Sequence, residues 1–287
     1  MAFNQDKPFQ GQKRGIVYLI ATPIGNISDI SIRAKEILGS ADIIACEDTR
    51  MTSSLLSLLH IKADKLVSCY SQKEQEESLK LIKEVKEKNL VLAFVSDAGT
   101  PGISDPGAIL VKNAIDNNVS VSSIPGPTAF TSALIMSGFD TADFSFYGFL
   151  PIKASARNNL LSELAVRKET LIFYEAPHRL VKTLGYLKES FGEDRNICLA
   201  RELTKAFEEY TRGTLKEITE TELTLKGEFV IVVEGYKEEK KELSEDEILV
   251  KAQKMLDQGL RKSEVAKIIA GELNVNKNSI YSLLQKI

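Results

Sequence analysis

Residues 90–107 read LVLAFVSDAGTPGISDPG and decide the fold of this chain. The apolar residues 90–95 predict a buried strand, and the twelve residues after them contain three glycines and two prolines. Glycine lets the backbone approach a ligand closely, and proline makes turns rigid. Ligands of parallel sheets bind beyond the carboxyl ends of the strands. The segment therefore predicts a ligand-binding loop. The alternative, a rigid connection without a ligand, would need fewer special residues.

Two further Pro/Gly loops follow predicted strands, ATPIGN at residues 21–26 and PGPTA at residues 125–129. If they lie at the same sheet edge as the first loop, the three form one crevice. Neither GxGxxG nor GxxxxGK[ST] occurs, which disfavours a dinucleotide site and a P-loop. The crevice therefore suits a ligand without a pyrophosphate. Asp105 is predicted to be the N-cap of the next helix, with Pro106 as the first residue of that helix. Asp97 is predicted either to contact the ligand or to form a turn-stabilising Asx bond.

The chain is predicted to be an α/β protein with two α/β domains and a small helical unit. Before Gly138, apolar strands alternate with amphipathic helices, which predicts a mainly parallel sheet covered on both faces. In the second domain, predicted strands at 208–213 and 228–234 are joined too closely for a parallel crossover unless 219–223 is helical, so a mixed sheet is expected. The expected divisions are a flexible tail at 1–14, domains at 15–138 and 139–236, a charged linker at 237–243 and a helical unit at 244–287.

The helical unit begins with a capping box formed by Ser244 and Glu247. Apolar residues at helical spacing then predict three short helices with a tight turn near residues 274–276, an arrangement similar to a helix-turn-helix. Such a unit can contact nucleic acid or serve only as a packing bundle, because both show the same periodicity.

Composition limits the other classes of function. The net charge of −3 gives no support to nucleic-acid binding by bulk charge, although a local basic patch is compatible with it. The three scattered cysteines argue against a disulfide framework and for a reducing, cytoplasmic location. Without CxxC or paired histidines no metal site is expected. No apolar run is long enough to span a membrane.

Seven motifs carry a family resemblance: ATPIGN, ACEDTR, VSDAGTPGISDPG, PGPTA, FYEAPHR, ARELTK and GEFVIVVEG, in this order. Together they resemble the tetrapyrrole-methylase-like, or class III, methyltransferases and, among these, the ribosomal RNA small-subunit methyltransferase I family. The resemblance runs from about residue 15 to residue 235, and the helical unit resembles that family's C-terminal extension less specifically. It implies a cofactor, S-adenosylmethionine, in a cleft between the domains, a homodimer, and 2′-O-methylation of a cytidine in the decoding region of small-subunit (16S) ribosomal RNA.

The loops and the resemblance together assign a set of residues to the cofactor. These are Pro23, Asp97, Gly99, Thr100, Pro101, Gly102, Ile103, Asp105, Pro106, Pro125, Gly126, Pro127, Thr128, Ala129, Ser132 and Tyr174.

Methyl transfer to a ribose hydroxyl requires in-line positioning, and a general base adds about 10²–10⁴-fold to the rate. Charged residues follow three predicted strands and would form the polar wall of the crevice. We expect Glu175 to be the base, with Glu202 or Lys205 as the next candidates. Ion pairing between the domains, such as Glu47 with Arg201, is the alternative. RNA contacts are expected from the basic residues Arg50, Lys153, Arg157, Arg179 and Arg201, with Lys153 and Arg157 on a flexible loop at 151–157.

Two other functions remain open from the sequence. The same loops would serve a methyltransferase that acts on a tetrapyrrole or another small molecule. The second alternative is a non-catalytic RNA-binding protein that retains a non-functional cofactor pocket. The intact Pro/Gly loops argue against it.

Overall fold

The computed structural model describes residues 15–70, 72–238, 244–273 and 275–286. The predicted tail at 1–14 and most of the predicted linker, residues 239–243, lie outside the described residues. The chain separates into two compact units, one that ends at Tyr236 and one that begins at Lys237. The first unit contains both sheets and the second contains helices.

The first sheet has five parallel strands in the order β3-β2-β4-β1-β5. The strands are β1 Ile16–Ile20, β2 Ile43–Cys46, β3 Leu66–Ser68, β4 Val91–Val95 and β5 Ser120–Ile124. The helices are α1 Ile32–Ser40, α2 Thr49–Leu58, α3 Glu74–Lys88, α4 Ala108–Asp116 and α5 Ala129–Ser137. The edge strand β3 is an addition to the prediction, because three half-buried or exposed residues leave little hydrophobic signal.

Helices cover both faces of this sheet. On one face, Ile37 and Leu38 of α1 pack against the strands. On the other, Ile82 and Val85 of α3 pack there together with Leu110 of α4. All residues of β2 and β4 are buried, as expected for central strands of a doubly covered sheet. The predicted parallel sheet is confirmed.

The second sheet is mixed, as predicted, with the order β6-β7-β10-β8-β9. Only β6 and β7 run parallel. The strands are β6 Phe144–Phe149, β7 Thr170–Glu175, β8 Asn196–Arg201, β9 Glu209–Thr214 and β10 Phe229–Val233. The helices are α6 Ala154–Leu164, α7 Leu180–Phe191 and α8 Leu215–Glu220.

Helix α5 connects the two sheets of the first unit. It follows β5 of the first sheet, yet its residues Ala133 and Leu134 pack against Ile172 of β7 and Val230 of β10. The other face of the second sheet is covered by α6, α7 and α8. The carboxyl end of β7 and the start of β10 therefore lie near the loops of the first sheet.

The second unit contains α9 Glu245–Asp257, α10 Lys262–Leu273 and α11 Lys277–Leu283. The predicted capping box is present, since the Ser244 hydroxyl accepts from the Glu247 N–H and the Glu247 carboxylate accepts from the Ser244 N–H. Val265, Ile269 and Ile280 form its core. Residue 274 of the predicted turn lies outside the described residues. Among the described helices of the chain, none is both long and apolar enough to cross a bilayer.

Candidate active site

The three Pro/Gly loops meet at one edge of the first sheet, because β4, β1 and β5 are neighbours. The loop after β1 pairs with the loop after β4, since Thr22 and Gly99 exchange backbone hydrogen bonds of 2.8 and 3.1 Å. The loop after β4 also binds the loop after β5. There, the Thr100 hydroxyl donates to the Pro127 carbonyl at 3.1 Å and lies 2.6 Å from the Thr128 hydroxyl. The predicted single crevice is confirmed.

Helix α4 begins later than predicted and has a different cap. Its first residue is Ala108, and Gly107 precedes it with a φ of +131°. The cap is the carboxylate of Glu74 in α3, which accepts from the N–H groups of Gly107, Ile109 and Leu110 at 2.8–3.2 Å. The prediction of Asp105 as the N-cap and Pro106 as the first helical residue is wrong, because a side chain from another helix satisfies these donors.

A cavity of about 390 Å³ opens between the loops of the first sheet and the second sheet. Its volume lies in the usual range for small-molecule sites. Eight of the residues predicted to bind the cofactor line it: Asp97, Gly99, Thr100, Ile103, Asp105, Thr128, Ala129 and Tyr174.

The other eight predicted cofactor residues are not part of the lining: Pro23, Pro101, Gly102, Pro106, Pro125, Gly126, Pro127 and Ser132. Several of them shape the loops instead. Gly126, for example, has no room for a side chain, because a Cβ there would lie 3.0 Å from the Cβ of Ala21.

Sequence reasoning found Tyr174 and Glu175 of the second sheet but missed other residues by which this sheet lines the cavity. Phe149 at the end of β6 and Glu228 just before β10 both line the cavity. Phe149 could have been found from its place at the carboxyl end of a strand. Glu228 could not, because it precedes a strand whose place in the sheet depends on long-range antiparallel pairing.

Five carboxylates, from Glu47, Asp97, Asp105, Glu175 and Glu228, line the cavity. Burial, together with the neighbouring charges of Glu47, Asp97 and Glu228, raises the pKa of Asp105 to about 6. Burial is also the main reason that the pKa of Glu47 is raised, with Asp97 and Asp48 adding to it. An acidic wall repels phosphate and favours a ligand that carries positive charge.

Asp97 and Tyr174 have defined positions in the wall. The Asp97 carboxylate accepts from the Asp48 backbone N–H at 3.1 Å, so it joins two loops rather than forming an Asx bond within its own loop. The Tyr174 hydroxyl accepts from the Phe130 N–H at 3.3 Å, and its ring contacts Phe146 and Phe149 edge-on. Burial raises the pKa of Tyr174 to about 12, so the phenol is neutral at physiological pH.

Glu175 lines the cavity, but its carboxylate is fully engaged elsewhere. It accepts from the Thr183 hydroxyl at 2.5 Å and from the Ala176 N–H at 2.9 Å, and it pairs with Arg179 at 3.2 Å. Its side chain has no exposed surface. This geometry favours an orienting role over proton acceptance, since a base needs a lone pair that is free to face the substrate.

Glu202 and Lys205 form an ionic cluster with Glu228 beside the cavity. The Lys205 Nζ lies 2.7 Å from the Glu202 carboxylate and 2.8 Å from that of Glu228. These hydrogen bonds outweigh burial and raise the pKa of Lys205, which keeps the ammonium protonated and unable to accept a proton. The hydrogen bond from Lys205 to Glu202 also lowers the pKa of Glu202.

The five residues predicted to bind RNA occupy different environments. Arg50 is exposed and pairs with Asp48, and Lys153 is exposed at the start of α6. Arg179 donates to the Leu150 carbonyl besides pairing with Glu175. Arg201 pairs with Glu209, so the Glu47–Arg201 ion pair considered from the sequence does not form.

The segment at 151–157 is only partly the loop that was predicted, because α6 already begins at Ala154. Arg157 therefore lies in the first turn of that helix, with its guanidinium stacked 3.7 Å from the ring centre of Tyr186. Among the described residues, no group of three or more His, Cys, Asp or Glu side chains could hold a metal ion.

The fold and the loops can now be compared with known proteins. A sequence profile described as Tetrapyrrole (Corrin/Porphyrin) Methylases matches residues 16–219. Among solved structures, uroporphyrin-III-C-methyltransferase from Thermus thermophilus aligns with a TM-score of 0.56 and 18% identity over 77% of this chain and 94% of its own. Cobalt precorrin-4 methyltransferase aligns with a TM-score of 0.57 and 17% identity over 77% and 95%. These structures share the fold, and the profile defines the class as tetrapyrrole methylases.

Curated relatives narrow this class. The protein named Ribosomal RNA small subunit methyltransferase I from Synechocystis sp. is 41% identical over 94% of this chain and 97% of its own length. The protein of the same name from Bacillus subtilis is 42% identical over 93% of each chain. The chain therefore belongs to the tetrapyrrole methylase family and, within it, groups with the ribosomal RNA small subunit methyltransferase I proteins. It is a methyltransferase.

Proposed function

We propose that this protein transfers the methyl group of S-adenosylmethionine to the 2′-oxygen of a cytidine ribose in the decoding region of 16S ribosomal RNA. The observation that carries the proposal is similarity of about 40% identity over nearly the whole chain, which covers both the cofactor cavity and the helical unit. The same similarity favours ribosomal RNA over a tetrapyrrole as the substrate, because the solved tetrapyrrole enzymes share only the fold.

The chemistry of the cavity fits S-adenosylmethionine. This cofactor supplies a methyl group on a positively charged sulfonium and also carries an ammonium group, and both suit a wall with five carboxylates. The apolar side chains of Ile24, Ile103 and Val230 offer surface for an adenine ring. Thr128 and Ala129 of the third loop line the cavity, so this loop can contact a ligand directly.

The residues around the cavity would act mainly by positioning. The three bonded loops hold the donor in place, and Tyr174 and Phe149 close the opposite side and exclude water. The ionic cluster of Lys205, Glu202 and Glu228 places a fixed ammonium beside the cavity, where it can meet an RNA phosphate or a ribose oxygen.

RNA binding would use exposed basic side chains around the site. Arg50 and Lys153 are exposed, while Arg157, Arg179 and Arg201 are held by neighbouring residues and could contact RNA through the donors that remain. The helical unit at 244–287 is a further candidate for RNA contact. We also propose that the enzyme is a homodimer and acts in the cytoplasm on free RNA or on the assembled small subunit.

The proposal is tested with purified protein and cofactor labelled in its methyl group. We expect label in 16S RNA of small subunits from cells that lack this protein, and mass spectrometry should place it on a cytidine 2′-oxygen. Subunits that already carry the modification serve as the control and should take up no label. Label in a porphyrinoid substrate instead would assign the small-molecule function. Failure to bind the cofactor at all would indicate a non-catalytic RNA-binding protein.

A further inference from the structure

The five carboxylates of the cavity wall differ in how they are held. Asp97 accepts a hydrogen bond from the Asp48 N–H, and Glu228 is held by Lys205. Glu175 is fully engaged by Thr183, Ala176 and Arg179. Each of these three groups has its position fixed by a partner.

Asp105 is held differently. Within the described part of the chain its carboxylate accepts no hydrogen bond and forms no ion pair, and burial and like charges alone act on it. It is half-buried and lines the cavity between the two sheets. Asp105 feels the charges of Glu47 and Asp97, which follow first-sheet strands, and of Glu228, just before β10 of the second sheet, and its own charge acts on Tyr174. A free carboxylate in this position can face a substrate that enters between the sheets.

We propose that Asp105 is the catalytic base that takes the proton from the ribose 2′-hydroxyl, and that Glu47, which lines the same cavity, is a positioning residue that acts through Asp105. This inference rests on the proposed function. The 2′-oxygen gives its O–H proton to an Asp105 oxygen and its electron pair to the methyl carbon. The carbon–sulfur bond breaks, and its electron pair stays on sulfur, which leaves as a neutral thioether. Asp105 then returns the proton to solvent, so no oxidant or further reactant is needed.

The electrostatic surroundings of Asp105 agree with this role. A base is most effective when its pKa lies near the working pH, and the pKa of Asp105, about 6, lies much closer to it than that of an ordinary aspartate. Besides burial, the charges of Glu47, Asp97 and Glu228 all raise the pKa of Asp105. Lys205 counteracts this increase only through Glu228, with which it is paired. A bound sulfonium would lower the pKa again, because a nearby cation favours the ionised carboxylate.

The test is single-turnover methyl transfer to small subunits, measured across the acid and neutral pH range with saturating cofactor. We expect the wild-type rate to rise with pH through one acid limb, since the base must be ionised. Asp105→Asn should lose about 10²–10⁴-fold in rate together with this limb. Calorimetry should show that the variant, although one carboxylate of the wall is neutral, still binds S-adenosylmethionine tightly enough to be saturated in the assay. Asp116→Asn, an exposed aspartate at the end of α4, is the matched control and should behave as the wild type.

Glu47→Gln gives a second, independent measurement that holds even if Asp105→Asn folds poorly. Removal of the neighbouring charge should move the acid limb to lower pH, because less repulsion opposes ionisation of Asp105. If the acid limb does not move, the proposal that Glu47 acts through Asp105 is overturned. The assignment of Asp105 as the catalytic base would be overturned by an Asp105→Asn rate within a few-fold of wild type. A loss of rate that weaker cofactor binding explains would overturn it as well. If the wild type itself transfers no methyl group to small subunits, the proposed function fails instead.

Discussion

At the scale of single residues, two carboxylates of the same cavity show how environment decides a role. Asp105 and Glu175 both line it, but only Glu175 has hydrogen-bond donors and an arginine around its oxygens. The sequence favoured Glu175 because it ends a strand and precedes APHR. That pattern locates the side chain correctly at the crevice, but which atoms it bonds depends on Thr183, eight residues away on α7. Asp105 was predicted only as a helix cap and a cofactor contact.

Substitution of Glu175 by Gln should therefore lower stability more than it lowers the rate of chemistry. The amide NH₂ would face the Arg179 guanidinium or the Ala176 N–H, leaving two donors opposed. Bonds to a buried charged group contribute about 1.5–3 kcal/mol each, and we expect the free energy of unfolding to fall by about that amount. Urea unfolding measures the loss, and single-turnover transfer at a temperature where the variant is folded measures the chemistry.

Glu189→Gln is the control for this experiment, because Glu189 lies exposed on the same helix, α7. It should change neither quantity. A Glu175→Gln protein with wild-type stability and a rate reduced a hundredfold or more would instead support Glu175 as the base.

At the scale of elements, the Gly/Pro loop after β4 is held at both ends by bonds from elsewhere. Near its start, Gly99 pairs with Thr22 of the first loop. At its end, Glu74 of α3 binds the N–H groups at the beginning of α4. The sequence predicted the loop and the helix but not the Glu74 cap, because a pattern read along the chain cannot detect a partner 33 residues away.

Loss of this cap should destabilise the first unit and weaken cofactor binding. The Glu74 side chain is buried, and Glu74→Ala would leave three backbone donors unsatisfied. A buried donor without a partner costs about 1–3 kcal/mol, so we expect a loss of at least that size in the free energy of unfolding. Affinity for S-adenosylmethionine should also fall, since the loop that ends at Gly107 lines the cavity.

Denaturant unfolding and calorimetry measure the two effects of Glu74→Ala. Glu76→Ala provides the comparison, because Glu76 lies on the same helix with 69% of its side chain exposed and forms an exposed ion pair with Lys80. Its effect should be much smaller than that of Glu74→Ala, because an exposed i,i+4 pair contributes little to stability. Equal effects from the two substitutions would show that the cap contributes no special stability.

At the scale of the whole molecule, the sequence predicted both sheets and their character, because strands and helices leave clear periodic patterns. It also placed the three loops of the first sheet in one crevice, since parallel strands end at the same edge. The contribution of Glu228 to the second wall of the cavity could not be predicted. Glu228 reaches it only because β10 inserts between β7 and β8, and neither strand is next to β10 in the sequence.

The division of the chain at Tyr236 leads to a final prediction about independent folding. The four hydrophobic clusters of the first unit include no residue beyond Val233, and the cluster of the second unit is complete within residues 248–284. A protein that ends at Tyr236 should therefore fold cooperatively and bind S-adenosylmethionine within about twofold of the full chain, a difference of about 0.4 kcal/mol. Calorimetry and thermal unfolding of the two proteins make the comparison. If the helical unit contacts RNA, the shortened protein should also show weaker binding to small subunits and a smaller dependence of that binding on salt. A shortened protein that is unfolded, or that binds the cofactor tenfold more weakly, would show that the first unit depends on the second.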